Sequence, residues 1–202
     1  TVSTDSDFEV SGGTETVDGG AGTDTLSFTA TGAAHDFSSA EMGSVKNIEA
    51  ISIAAPGGYA STIGLSDTFM SNNNNTITIN APLNTNADDD VNVNGSAVGA
   101  GSIRLILKGD KTGTNDTLTG GAGDDVLQVG YASTSDTVPD GDGVNQELEA
   151  GDVFTGNGGT DVIEYHNVGN TAAGADADAG TGDITATIDF DNITGVEKIQ
   201  VM

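Results

Sequence analysis

The chain has no cysteine, and its aromatic residues are limited to six phenylalanines and three tyrosines. Without cysteine no disulfide can stabilise the fold, so a secreted form of the protein needs another cross-link, which bound metal ions can supply. Few aromatic side chains also mean that the core must be thin and largely aliphatic. These absences favour a narrow architecture of stacked layers over a thick sandwich.

Basic residues are also scarce in this chain. It has 31 Asp and Glu residues against five Lys and Arg, which gives a net charge of −26 at pH 7. Such a chain does not bind nucleic acid or an anionic membrane surface through bulk charge, and no apolar run is long enough to span a membrane. Because so many like charges repel one another in a compact state, the composition favours cations as part of the fold.

The usual sequence signals of catalysis are missing. The two histidines, His35 and His166, have no second histidine or cysteine at metal-ligand spacing, which argues against a zinc centre. The chain has no Gly-x-Ser-x-Gly nucleophile elbow and no Walker loop. Paired carboxylates are uninformative, because 31 acidic residues permit any pairing. We therefore expect a protein that is not an enzyme.

A nine-residue pattern of glycine, aspartate and one apolar residue occurs three times, at residues 19–27, 120–128 and 156–164. One match could arise by chance in a chain with 30 glycines. Each match is also preceded, nine residues earlier, by another acidic residue, which indicates a structural repeat. These pairs are Glu15 and Asp24, Asp116 and Asp125, and Asp152 and Asp161.

The two halves of the pattern have different conformational preferences. The x-Asp-x-apolar-x half alternates, which predicts a short strand with its apolar residue facing inward and a second inward residue two positions later. The Gly-Gly-x-Gly half predicts a tight turn whose carbonyl groups face inward. The predicted inward residues are Leu26, Phe28, Leu127, Val129, Ile163 and Tyr165.

Carbonyl and carboxylate oxygens presented together by stacked turns are the ligands that Ca²⁺ prefers. A separate loop, Asp140-Gly141-Asp142-Gly143, has a similar acidic opening without EF-hand spacing, and is either a further cation loop or a solvated turn. The predicted metal ligands are Glu15, Gly19, Gly20, Gly22, Asp24, Asp116, Gly120, Gly121, Gly123, Asp125, Asp140, Asp142, Asp152, Gly156, Gly158, Gly159 and Asp161.

The nonapeptides at these three places resemble the G-G-x-G-x-D-x-U-x repeat of the repeats-in-toxin (RTX) family. The resemblance implies an all-β fold, a right-handed parallel β-solenoid of the β-roll type with Ca²⁺ held between successive turns. The chain departs from the family because each run has only two turns, and the first turn of each pair lacks most of its glycines. The alternative is that the motifs are Gly/Asp-rich hairpin turns that bind no metal.

A second repeat lies outside the glycine motifs. Residues 45–53 and 193–201 share the pattern apolar-x-x-apolar-Glu-x-apolar-x-apolar, whose alternating end favours a strand over a short helical turn. We therefore divide the chain into an N-terminal solenoid unit (1–53), a strand-rich middle segment (54–108) and a C-terminal solenoid unit with two turn pairs (109–202).

The middle segment has three alternating stretches rich in Thr, Val and Ile, at residues 76–79, 91–93 and 103–107, which predict strands. A short helix is predicted near residues 65–70, with Ser66 as its N-cap. The segment either continues the solenoid or curls into a small β-sandwich.

Composition and resemblance together imply an extracellular structural protein, of the surface-layer, filament or matrix kind, that folds and self-assembles with Ca²⁺. Its expected partners are copies of itself and cell-surface polysaccharide. The alternatives are a ligand-binding module of an RTX adhesin and the secretion and folding appendage of a larger secreted enzyme. Because the chain starts without Met and stops after an alternating stretch, we expect a fragment of a longer protein.

Overall fold

The computed structural model describes residues 16–29, 35–54, 60–81, 90–107, 115–129, 151–165 and 191–201. Within these ranges the chain forms fifteen strands and two short helices, so the expected all-β class is confirmed. The strands are β1 Val17–Asp18, β2 Thr25–Thr29, β3 His35–Phe37, β4 Val45–Lys46, β5 Ala50–Ala54, β6 Ser61–Ser66, β7 Thr76–Asn80, β8 Val91–Ala97, β9 Ser102–Leu107, β10 Thr117–Thr119, β11 Val126–Val129, β12 Val153–Thr155, β13 Val162–Tyr165, β14 Ile193–Thr194 and β15 Lys198–Val201. The helices are α1 Ser39–Met42 and α2 Asp67–Asn72.

The strands form two large parallel sheets. The six-stranded sheet has the order β14-β12-β10-β8-β6-β3, and the seven-stranded sheet has the order β15-β13-β11-β9-β7-β5-β2. A further parallel pair joins β1 to β4. From β5 to β15, consecutive strands alternate between the two large sheets. We call one strand of the six-stranded sheet and the next strand of the seven-stranded sheet a coil, and the segment that joins them a corner.

The core lies along rows of apolar side chains that are in register between neighbouring coils. Leu105 of β9 pairs with Leu127 of β11, which pairs with Ile163 of β13, and all three side chains are buried. Alternation within each strand produces this row, because every second residue points to the same face. The predicted inward residues are confirmed: Leu26, Phe28, Leu127, Val129 and Ile163 are buried, and Tyr165 is partly buried against the core.

Strands β6 to β9, from the predicted middle segment, lie in the same two sheets as the strands before and after them. All three stretches predicted as strands in this segment are strands. The predicted helix is α2, two residues further along, and the Ser66 hydroxyl accepts from the backbone N–H of Phe69 as its cap. The strand alternative is also confirmed for the second repeat, at β5 and β15.

Helix α1 was not predicted from the sequence. It begins with a capping box in which the Ser38 hydroxyl accepts from the N–H of Glu41 and the Glu41 carboxylate accepts from the N–H of Ser38. The Ser-x-x-Glu spacing was the available signal. Four residues are too few to show a helical period, so the pattern of apolar residues could not reveal it.

Candidate functional site

Five of the predicted acidic ligands lie at the starts of strands. Asp24, Asp125 and Asp161 directly precede strands of the seven-stranded sheet, and Asp116 and Asp152 directly precede strands of the six-stranded sheet. Residues 120–125 and 156–161 are therefore two stacked corners, which lead from β10 to β11 and from β12 to β13. The predicted ligands Glu15, Asp140 and Asp142 lie outside the described residues.

The aspartates of the stacked corners link neighbouring coils. The backbone N–H of Asp125 donates to Oδ1 of Asp161 at 2.8 Å, and the N–H of Ile103, one coil earlier, donates to Oδ1 of Asp125 at 2.8 Å. Each carboxylate thus accepts the N–H at the equivalent position of the preceding coil. This contact satisfies a main-chain donor that a buried corner would otherwise leave unpaired.

The same arrangement recurs at the starts of the six-stranded sheet's strands. The N–H of Val91 donates to Oδ1 of Asp116 at 2.6 Å, and the N–H of Asp116 donates to Oδ1 of Asp152 at 2.9 Å. Asp116 and Asp152 are both buried, with 2% and 3% of their surfaces exposed. Acidic residues of the glycine repeats are therefore buried at the starts of strands in both sheets.

Two glutamates that we did not predict as site residues extend this ladder. Oε2 of Glu49 accepts from the N–H of Asp24 at 2.8 Å, and Oε2 of Glu197 accepts from the N–H of Asp161 at 2.7 Å. Both lie in the second repeat, whose corners are shorter than the glycine corners. The glutamate side chain is longer than that of aspartate, and its carboxylate reaches the N–H of the neighbouring coil from a shorter corner. The sequence signal for this role was the glutamate that both copies of the second repeat share at the same position.

The first glycine of each stacked corner leaves room for two oxygens. A Cβ placed on Gly156 would collide with Oδ2 of Asp161 and with the carbonyl oxygen of Gly195 in the next coil. A Cβ on Gly120 would collide with Oδ2 of Asp125 and lie 2.7 Å from the carbonyl oxygen of Gly156. At each corner a carboxylate oxygen and a carbonyl oxygen from the following coil therefore approach the same point.

Several of these buried oxygens have no hydrogen-bond donor. Among the described residues, Oδ2 of Asp24, of Asp116 and of Asp161 is buried and accepts no hydrogen bond. Oδ2 of Asp125 differs, because it accepts from the N–H of Gly121 at 2.7 Å. A buried acceptor that lacks a donor is costly, by about 1–3 kcal/mol, so these positions favour a bound proton or cation.

Burial disfavours the ionised form of these carboxyl groups. The pKa of Asp116 is raised to about 8, chiefly by burial and to a smaller extent by the charge of Asp152. Burial raises the pKa of Asp125 to about 6. Burial also raises the pKa of Asp161, with a smaller contribution from the charge of Glu197. Without a cation the corners therefore hold protons more tightly than free carboxylates do.

The oxygens at these corners, one carboxylate oxygen and one backbone carbonyl oxygen at each, fit a hard cation. No group of three or more His, Cys, Asp or Glu side chains converges on one point within the described ranges. Carboxylate and carbonyl oxygens are ligands for Ca²⁺ rather than for zinc or copper. Any cation here would take one carboxylate oxygen, such as Oδ2 of Asp161, together with carbonyl oxygens such as that of Gly195.

Asn157 occupies the position of the second glycine in the third motif, and sequence reasoning assigned it no role. Its backbone has a φ of 73°, and its Nδ2 donates to the carbonyl oxygen of Gly120 at 2.8 Å. The predicted ligand Gly120 thus already has a donor on its carbonyl. Asparagine tolerates left-handed backbone better than most residues, which explains how it replaces glycine at this corner.

The remaining predicted glycines lie in the same corners. Gly20 and Gly22 precede Asp24, Gly121 and Gly123 precede Asp125, and Gly158 and Gly159 precede Asp161. The N–H of Gly158 donates to the carbonyl oxygen of Gly121 at 3.2 Å, so these corners stack through the main chain as well as through their aspartates.

Neither helix in the described ranges has the length and apolar character needed to cross a bilayer. Comparisons of the chain with protein-family models, with curated proteins and with solved structures found no match.

Proposed function

We propose that this chain is a calcium-binding structural protein without catalytic activity, whose strands wind as a right-handed parallel β-solenoid of the RTX type. The alternation of consecutive parallel strands between two sheets supports the solenoid, because a chain that coils about one axis adds one strand to each sheet per turn.

The observation on which the calcium proposal depends is the corner formed by Gly156, Asp161 and Gly195. Two oxygen acceptors approach the same point there, one of them buried and without a donor in the described part of the chain. Two acceptors cannot satisfy each other. A divalent cation between them would satisfy both and would neutralise part of a net charge of −26.

Calcium would act by linkage between binding and folding. Calcium sites of extracellular modules have dissociation constants on the order of 10⁻⁴ M. At a tenfold to hundredfold excess of free ion, each site adds roughly 1.4–2.7 kcal/mol to the free energy of unfolding. With several such sites empty at cytosolic calcium levels, the chain would be loosely folded. It would fold when the sites fill after export, so we propose an extracellular or cell-surface location.

Calcium titration followed by far-UV circular dichroism and by calorimetry tests this proposal. We expect EGTA to reduce the strand signal and lower Tm, and added Ca²⁺ to restore both. Mg²⁺ at equal concentration should have little effect, since it dehydrates reluctantly and demands strict octahedral geometry. A spectrum and Tm that are identical in EGTA and in Ca²⁺ would contradict the proposal.

We further propose that the chain assembles with copies of itself into a layer, filament or matrix. Ile199 of β15 is 53% exposed, although its registered neighbour Ile163 is buried. In the described part of the chain β15 is an edge strand of its sheet, and edge strands with exposed apolar residues pair readily with other chains. Cell-surface polysaccharide remains the second expected partner, as anchor for such a layer.

Electron microscopy of the purified protein with Ca²⁺ and with EGTA tests the assembly. We expect ordered polymers or sheets in Ca²⁺ and dispersed particles in EGTA. Dispersed monomers under both conditions, with calcium binding intact by calorimetry, would contradict self-assembly and leave the calcium proposal standing.

A further inference from the structure

At one register position of the seven-stranded sheet, the residues change from acidic to apolar and back to acidic across the sheet. The pairing of neighbouring strands, extended by one residue towards the N-terminus where a strand begins later, places one residue from each of the seven chain segments at the same register position. We call it the seven-strand column. In order its members are Asp24, Glu49, Ile77, Ile103, Asp125, Asp161 and Glu197.

The middle of this column is apolar and both of its ends are acidic. Ile77 and Ile103 are fully buried at 0% exposure, and Asp125 and Asp161 occupy equivalent positions at the same exposure. At these four positions the site is therefore the same buried corner, filled by isoleucine in two coils and by a carboxylate in the other two. Towards the ends of the sheet, Asp24 and Glu49 are partly buried and Glu197 is exposed. A buried isoleucine stabilises a corner by hydrophobic burial alone, by about 1.5–3 kcal/mol.

The six-stranded sheet shows the same change at the same place. Its column, which we call the six-strand column, runs through Ser61, Val91, Asp116 and Asp152. Ser61 and Val91 are buried and uncharged, and Asp116 and Asp152 are buried acids. The Ser61 hydroxyl lacks a partner in the described ranges, but it is neutral and requires no counter-ion. The seven-strand column thus becomes acidic between β9 and β11, and the six-strand column between β8 and β10.

The corner between β6 and β7 has an uncharged group at its buried position, and its one linking carboxylate, that of Asp67, is exposed and accepts from the N–H of Gly99. Between β6 and β7 the glycine loop is replaced by helix α2 and by Asn73, which is 1% exposed. Oδ1 of Asn73 accepts from the N–H of Ile48 at 2.8 Å, and Nδ2 donates to the carbonyl oxygens of Val45 and Phe69 at 3.1 and 2.7 Å. This amide makes the link between coils that the corner aspartates make elsewhere, and leaves no orphaned charge.

Two of the buried acidic positions are different, because one oxygen of each carboxylate has no hydrogen-bond donor. Oδ2 of Asp116 and Oδ2 of Asp161 are buried acceptors without donors in the described part of the chain, whereas no carboxylate occupies either column within β6 to β9. Only the acidic corners therefore need a proton or a cation to be stable.

From these columns we propose that calcium dependence is confined to the ends of the molecule, and that strands β6 to β9 form a core that stays folded without metal. This inference rests on the proposed calcium function. Strands β6 to β9 would stay folded with or without metal. The acidic coils at residues 115–129 and 151–165 would pack against these strands when Ca²⁺ binds.

Hydrogen–deuterium exchange of the whole chain, in Ca²⁺ and in EGTA, tests this inference. We expect the amides of β7 and β9 to keep protection within about threefold in EGTA. The amides of β11 and β13 should lose at least about tenfold, which corresponds to about 1.4 kcal/mol of local stability. Peptides that span β2 and β5, next to Asp24 and Glu49, should follow β11 and β13.

The other outcomes separate the two proposals. If the amides of β7 and β9 lose protection in EGTA together with those of β11 and β13, calcium controls the whole fold, and the inference is wrong while the calcium function stands. If no peptide changes between Ca²⁺ and EGTA, both the calcium function and the inference are overturned.

A second measurement does not require removal of metal from the wild-type chain. The variant Asp161→Asn, kept in Ca²⁺, should lose protection in β13 and β15 and keep it in β7 and β9. Equal loss in β7 and β9 would overturn the inference, because damage at one acidic corner would then have spread through the apolar coils.

Discussion

Oδ1 of Asp161 accepts the backbone N–H of Asp125 at 2.8 Å, while Oδ2 of the same carboxylate accepts no hydrogen bond in the described part of the chain. One side chain thus joins two coils through one oxygen and offers the other, fully buried, to a proton or a cation. The hydrogen bond explains why the group lies inside the molecule. The second oxygen explains why its charge needs compensation.

Replacing Asp161 with Asn should have opposite effects with and without calcium. The amide keeps an oxygen for the N–H of Asp125, and its NH₂ can donate to the carbonyl oxygen of Gly195. In EGTA we expect the free energy of unfolding to rise by about 1 kcal/mol. In Ca²⁺ the stabilisation by the ion should fall, by about 1.4 kcal/mol or more. Urea unfolding under both conditions measures the two changes.

Asp124→Asn is the matched control for that variant. Asp124 is exposed and its Oδ1 accepts the N–H of Thr160 at 2.8 Å, which an Asn oxygen can also accept. Stability in EGTA and in Ca²⁺ should therefore stay within about 0.5 kcal/mol of the wild type. A loss of calcium response in Asp124→Asn as large as in Asp161→Asn would show that total charge, rather than the corner, governs binding.

The metal-free protein should become less stable as pH rises. The pKa of Asp116 is raised from 3.8 to about 8, so the folded state binds a proton that the unfolded state releases. That contribution is complete below pH 3.8 and is lost as pH approaches 8, with a slope of up to about 1.4 kcal/mol per pH unit. Urea unfolding in EGTA between about pH 5 and about pH 8 measures this loss of stability.

The variant Asp116→Asn should flatten that pH dependence. It keeps an oxygen for the N–H of Val91 but has no titrating group. We expect the difference in slope between wild type and variant to appear in EGTA and to shrink in Ca²⁺. A wild-type stability that rises with pH in EGTA would contradict the assignment of a raised pKa.

Glycine at position 156 should be irreplaceable, because its missing side chain leaves room for two oxygens. A Cβ on Gly156 would collide with Oδ2 of Asp161 and the carbonyl oxygen of Gly195. We expect Gly156→Ala to cost about 1–3 kcal/mol of stability and to weaken calcium binding measured by calorimetry.

Gly158→Ala is the control for that substitution in the same corner. The three atoms nearest to its Cβ would belong to Ala122, at 3.5–3.8 Å, which is ordinary van der Waals contact. The free energy of unfolding should change by no more than about 0.5 kcal/mol. Equal costs at residues 156 and 158 would indicate that the loop needs glycine for its backbone alone.

Ile199→Asp should prevent assembly without unfolding the molecule. The side chain is 53% exposed on the edge strand β15, and a charge there opposes pairing with another chain. Light scattering in Ca²⁺ should report smaller particles than for the wild type, with an unchanged circular dichroism spectrum. Gln200→Asp adds the same charge to the opposite face of the strand, and we expect it to assemble normally. Equal loss in both variants would indicate general charge repulsion.

Local patterns in the sequence predicted many of the elements correctly. The alternation at residues 76–79 and 103–107 required strands, because period-two apolar patterns fit only extended backbone. Ser66 predicted its helix start because its hydroxyl can satisfy a free N–H of the first turn. The nonapeptides also placed Asp125 and Asp161 at strand starts, next to turns that glycine makes possible.

The roles of Glu49, Glu197 and Asn73 could not be predicted in this way. Each acts on a residue in a neighbouring coil, 25 to 36 positions away in the chain, at distances of 2.7–2.8 Å. Such contacts depend on the lengths of the intervening loops, which set the register, and loop length leaves no periodic signal in the sequence.

The sequence alone determined the all-β class, the inward rows of apolar residues and the turns rich in glycine and aspartate, because those features follow from the conformational preferences of adjacent residues. Only the tertiary structure decided which corners stack. Parallel register brings Ile77 and Ile103 into line with Asp125 and Asp161, and so places neutral and acidic side chains at equivalent buried positions. The physical reason is that the free-energy cost of burying a charged side chain depends on which groups the neighbouring coil places beside it.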